Sequence, residues 1–178
     1  MNDCVAPPPE ADRKRVTAGD PWALESAMYE LKVIRERRLG APPRRVVRNA
    51  RAIYELFQSR FTRADREEFL VVPLDAKHAI LGFHVVSVGS LTASLVHARE
   101  VFKVAILANA AALVFVHNHP SGDPTPSSQD IALTKRLAEV GDMVGITVLD
   151  HIVMGENRYV SFAEDGYMPP RTVHGDAS

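Results

Sequence analysis

The chain has 178 residues, 46% hydrophobic and 24% charged, which suits one globular domain with short additions. A single cysteine, Cys4, excludes an internal disulfide framework and makes a cytoplasmic setting the simplest reading. Net charge is −1 but uneven: residues 1–51 hold 11 Lys and Arg against 7 Asp and Glu, net +4, and the remainder is net −5.

Residues 1–18, with Pro7, Pro8 and Pro9 followed by charges, are expected to be a disordered tail; they lack the apolar core of a signal peptide. Asp20 can cap a helix over 20–38, with Pro21 in its first turn, and residues 40–43 stop it. The densest charge lies from Lys32 to Arg51, where eight Lys and Arg face only Glu36. Such a block attracts DNA phosphates or an acidic partner. A solvated helix face balancing an acidic domain is the plainer reading, and no aromatic residue interleaves the block to stack bases. A second amphipathic helix is expected over 46–61, with Val46, Ala50, Ile53 and Phe57 on one side. The period then changes. Residues 69–74 and 79–88 read as hairpin strands around a turn at 75–77, and 96–111 as a helix apolar on most sides. Residues 113–116 form a short buried strand. A stiff loop with three prolines spans 120–126, a helix follows over 127–140, and strands follow at 146–154 and 159–162. The longest apolar stretch, 104–116, contains Asn109 and falls short of the roughly 20 residues of a membrane helix. This irregular alternation points to an α/β fold with a mixed sheet.

The strand at 113–116 ends in His117-Asn118-His119. Residues two apart on an extended chain face the same way, so both imidazoles can address one ion, and both suit Zn²⁺ at about 2.0–2.1 Å. Asp130 falls in the first turn of the next helix, where the stiff loop can fold it back toward them. Three protein ligands leave a fourth position for water, the arrangement of a catalytic zinc, one per chain. Taken alone, a His-x-His pair is usually incidental, and Ser127-x-x-Asp130 is an ordinary helix start. The fixed offsets of the combination favour the metal.

With a glutamate upstream, this pattern resembles that of the JAMM, or MPN-plus, zinc peptidases. The stretches Gly89-Ser90-Leu91, His97 to Phe102, His117 to Gly122 and Leu149-Asp150-His151-Ile152 narrow the resemblance to RadC-like proteins, over residues 46–168. The resemblance implies an α/β MPN (JAB) fold over 46–168: a mixed, mostly antiparallel curved sheet packed with helices. A basic helical segment at 19–45 would precede it, and a tail at 169–178 would follow. It also implies zinc-dependent hydrolysis of a peptide or isopeptide bond in a protein or peptide substrate. Zinc would be held by His117, His119 and Asp130. Glu68, directly before Phe69, would be the general base, with Glu67 its rival, and Ser127 would hydrogen-bond the oxyanion. Asp150 and His151 stay open between support of the site and a purely structural bond. Many RadC-like proteins carry a helix-hairpin-helix DNA-binding module ahead of this domain, and no glycine-rich hairpin of that kind is visible before residue 46. Two other readings stand beside the peptidase: a DNA-associated repair or mobile-element accessory protein using the basic segment, and an inactive MPN scaffold, against which the intact ligand set counts. No membrane partner is expected, and a homodimer through the N-terminal helices is left open.

Overall fold

The computed structural model describes residues 45–62, 64–89 and 96–170. The expected tail at 1–18, the helix at 20–38, Cys4, the basic block before residue 45 and the chain beyond residue 170 lie outside the described residues.

Helix α1 (Ala50–Phe61) starts four residues later than its periodicity suggests, because Asn49 caps it: its side-chain oxygen accepts the N–H of Ala52 at 3.0 Å. Val46 is drawn instead into an extended bridge with Ala79, while Ala50, Ile53, Tyr54 and Phe57 form the buried side of α1. Strands β1 (Glu68–Leu74) and β2 (His84–Val88) make the expected hairpin, although β2 begins five residues late, since Ala79 and Ile80 form only isolated bridges. Helix α2 (Ala98–Leu107) is shorter than expected at both ends; Asn109 turns left-handed at φ 51° just past it, and Ala111 N–H then bonds Leu74 O at 2.8 Å to start the next strand. Strand β3 (Ala112–Asn118) is buried throughout. Helix α3 (Ser128–Val144) runs four residues beyond expectation and closes on Gly145, whose φ of 71° is the left-handed turn that favours glycine. Strands β4 (Thr147–Met154) and β5 (Tyr159–Ser161) complete the sheet.

The strand order is β2-β1-β3-β4-β5, with β3 and β4 parallel and the other neighbours antiparallel. Helix α1 packs on one face, with Leu70, Val72, Val114, Val116, Ile152 and Met154. Helices α2 and α3 cover the other face, with Phe69, Val71, Leu113, Phe115 and Val148. Full burial of such side chains stabilises the sheet by about 1.5–3 kcal/mol each. This open, mixed, mostly antiparallel sheet packed with helices is the α/β architecture expected for an MPN (JAB) fold. No described helix is long and apolar enough to cross a membrane.

One irregularity bears on the site. Along β4 the register slips: Leu113 pairs with Val148, but Val114 pairs with Asp150, so Leu149 is an extra residue. A one-residue bulge reverses which side chains face which side. Val148 faces α3, and without the slip Asp150 and Ile152 would too. With it, Ile152 and Met154 turn to α1, and His151 turns to the α3 face beside His117.

Candidate metal centre

His117 lies one residue before the end of β3, and the chain stays extended past it, since His119 N–H bonds Met154 O at 2.9 Å. Both imidazoles therefore look toward α3. The chain then turns sharply, with Gly122 N–H bonding His119 O at 2.9 Å and Gly122 at φ 85°. That turn returns the carbonyl of Asp123 to His119, where it accepts the Nδ1 proton at 2.7 Å and leaves Nε2 facing the centre. The turn is pressed against Gly155, where a Cβ would come within 2.4 Å of Gly122 O.

Asp130 is held by a capping box. Ser127 N–H and Oγ–H both donate to its Oδ2, at 2.7 and 2.6 Å, while Asp130 N–H donates to Ser127 Oγ at 3.1 Å. Oδ1 turns to His117 Nε2 at 3.4 Å, Oδ2 lies 3.6 Å from His119 Nε2, and the two Nε2 atoms are 2.9 Å apart. Ligands at about 2.0–2.1 Å in a tetrahedron are separated by about 3.3–3.4 Å. The His117–His119 separation, and the approach of one Asp130 oxygen to each imidazole, lie around that value, so the donor types and their closeness suit a tetrahedral ion. Among the described residues these three form a cluster able to hold a metal.

The electrostatics agree with a ligand set. Burial pushes His117 down to about 4, a shift the Asp130 charge only partly opposes, so the imidazole is neutral at pH 7. Burial works to raise the Asp130 carboxyl, but the His119 hydrogen bond, the His117 charge and the Ser127 hydrogen bonds hold it well below the ordinary carboxylate range. His119 is raised, first by its hydrogen bond to Asp130, against burial, and further by the Asp123 carbonyl and the charges of Asp130 and Glu67.

Two residues expected to do chemistry are held in other contacts. Glu68 does not come to the cluster. Phe69 pairs with His117 across the β1–β3 ladder and stacks on its ring, so Phe69 points to the α3 face and Glu68 to the α1 face. There the Glu68 carboxylate pairs with Arg60 of α1 at 2.7 Å. Glu67, two residues before Phe69, shares the side of Phe69 and His117, and its charge is felt at His119. Nor is Ser127 a free oxyanion donor. A hydroxyl has one proton, and it goes to the acceptor-only carboxylate of Asp130.

Asn118, between the two histidines, was given no role by its sequence. Its amide donates to Arg66 O at 2.9 Å and accepts Glu68 N–H at 2.8 Å, clamping the backbone on both sides of Glu67. His151 is fully buried, with Nε2 2.7 Å from His117 Nδ1. Asp150 caps the turn after β5, accepting from Ser161 Oγ at 2.7 Å and Ala163 N–H at 2.9 Å, a structural role. Of the basic block, Arg45 and Arg48 are exposed and Arg51 pairs with Glu55 at 2.9 Å. A cavity of about 250 Å³ opens beside His119, lined among others by Gln58, Phe61, Asn118, Gly122 and Met154.

The family model described as "RadC-like JAB domain" matches residues 47–167, the whole of the sheet, its three helices and the cluster. The chain belongs to the RadC-like JAB domain family. Relatives named UPF0758 protein include one from Desulfitobacterium hafniense, 50% identical over 125 residues, covering 70% of this chain and 55% of the relative. Another, from Methanosarcina acetivorans, is 47% identical over 126 residues, covering 71% and 55%. One from Symbiobacterium thermophilum is 49% identical over 130 residues, covering 72% and 56%. The chain thus spans a little over half the length of these family members.

Proposed function

We propose that this protein is a zinc-dependent hydrolase of peptide or isopeptide bonds, with zinc held by His117, His119 and Asp130 and with Glu67 as general base. The observation that carries this reading is the cluster of His117, His119 and Asp130, whose donor atoms lie within 4.8 Å of one another, with the charge of Glu67 felt at His119.

Held by His117, His119 and Asp130, a zinc ion would supply Lewis acidity, the chemistry that lowers the pKa of water toward about 7 and polarises a carbonyl. The chain's own residues do the rest. Glu67 takes the proton of the attacking water and returns it to the departing amine. Asn118 fixes the Arg66–Glu68 backbone, so that Glu67 stays on the side of the sheet that His117 and His119 face. Ser127 holds the Asp130 carboxylate in its orientation, and the Asp123 carbonyl holds His119 in the tautomer whose Nε2 can bind metal.

The test is cleavage of a peptide and isopeptide-linked substrate panel by zinc-loaded protein. Turnover that a chelator abolishes, zinc restores and Glu67→Gln suppresses supports the reading. Cleavage indifferent to chelation contradicts it.

A further inference from the structure

Behind His117 runs a buried hydrogen-bonded chain that the catalytic roles above do not use. His117 Nδ1 meets His151 Nε2 at 2.7 Å, His151 Nδ1 meets Thr134 Oγ1 at 2.6 Å, and Thr134 Oγ1 meets Asp130 O at 2.7 Å. All three side chains are fully buried. The last contact sets the direction of the others. A backbone carbonyl can only accept, so the single Thr134 hydroxyl proton lies on the bond to Asp130 O. Thr134 Oγ1 must then accept from His151, which places the His151 proton on Nδ1 and leaves its Nε2 bare. His151 Nε2 can only accept in turn, so His117 carries its proton on Nδ1. Its Nε2 lone pair points at His119, and in the zinc-free chain the proton of the 2.9 Å contact between the two Nε2 atoms lies on His119.

Resting on the zinc reading above, we propose that Thr134 and His151 are positioning residues that fix the tautomer and the ring orientation of His117 for metal binding. If the Thr134 hydroxyl turned to His151 instead, two oxygen lone pairs would face each other at 2.7 Å with no proton between them. The chain would also reverse, His151 would donate to His117, and the His117 proton would sit on Nε2, the atom that must bind. The surroundings hold the intended arrangement. The His151 ring lies edge-on to Phe69 and Phe115, at 5.4 and 5.9 Å, and 4.8 Å from Phe162, which blocks its rotation. The Leu149 bulge is what turns His151 to this face. Because the chain ends on the carbonyl of Asp130, it ties two of the three ligands into one closed ring of contacts: Asp130 carbonyl, Thr134, His151, His117, and back to the Asp130 carboxylate. Outer partners of this kind typically change metal affinity by roughly 10–100-fold.

Two measurements on the full chain test the proposal. In zinc-free protein labelled with ¹⁵N-histidine, long-range ¹H–¹⁵N correlation spectra read the tautomers directly. His117 and His151 should both carry a proton on Nδ1, with His151 Nε2 bare; a proton on His151 Nε2 overturns the proposal. Zinc competition titrations supply the second arm. Thr134→Val keeps the shape but loses the hydroxyl and should weaken zinc binding roughly 10–100-fold, while Thr134→Ser should bind within about threefold of the parent. Equal affinity of the Val and Ser variants overturns the proposal even if both melt at lower temperature. Failure of the parent protein to bind zinc would remove the proposed function, and the tautomer spectra of the zinc-free protein would still decide this inference.

Discussion

Acidifying the zinc-free protein should cost it stability in a window set by His117. Burial holds this imidazole at about 4 in the folded chain, against an ordinary value of 6.5. Between those values the unfolded chain takes up a proton that the folded chain refuses. Stability from neutral His117 is therefore fully present above pH 6.5 and declines as the pH falls toward about 4. At about 1.4 kcal/mol per pH unit, that gap is worth about 3 kcal/mol, a large share of a typical domain's stability. His119 opposes it in part: it is raised, so its contribution grows as the pH falls and is fully present below 6.5, while the depressed Asp130 loses its contribution only below the ordinary carboxylate range. His151 is pushed down by burial and acts in the same direction as His117. Urea unfolding of chelated protein at about pH 7 and about pH 4.5 measures the difference. A loss of about 2–3 kcal/mol is expected, reduced in His117→Gln. Equal stability at the two pH values would refute the burial argument.

Glu67→Gln should lower turnover roughly 10²–10⁴-fold with zinc content and melting temperature near those of the parent. Glu68→Gln should leave turnover within a few-fold and cost at most about 1 kcal/mol through its half-exposed pairing with Arg60; comparing kcat and zinc content of the two variants distinguishes them. Asn118→Ala leaves the Arg66 carbonyl and the Glu68 N–H without their partner. It should destabilise the fold by about 2–4 kcal/mol and reduce turnover more than it reduces bound zinc, read by urea unfolding alongside metal analysis.

The cluster of His117, His119 and Asp130 was legible because its geometry is local. His117 and His119 share a face by strand periodicity, and Asp130 sits three residues past a serine N-cap, so short-range rules place each of them. The strand and helix types were legible for the same reason, while their ends moved wherever a cap or a left-handed residue intervened, as at Asn49, Asn109 and Gly145. Nearness to Phe69 favours Glu68 as the general base, whereas strand phase favours Glu67, the residue proposed above. Counting back in twos from Phe69, whose partner is His117, reaches Glu67 and passes over Glu68. His151 and Thr134 were not legible as a pair, since the Leu149 bulge that brings His151 to the α3 face leaves no signature in hydrophobic alternation. The capture of the Ser127 proton by Asp130 likewise depends on the orientation of a carboxylate, which residue spacing does not specify.

The most direct test of the account is the metal content of the purified chain after zinc loading and desalting, measured by inductively coupled plasma mass spectrometry. About one zinc per chain is expected in the parent, and essentially none in His117→Ala/His119→Ala, since a three-ligand site that loses two donors keeps no tetrahedral cage. A parent chain without zinc, or a double variant that keeps one equivalent, would contradict the account.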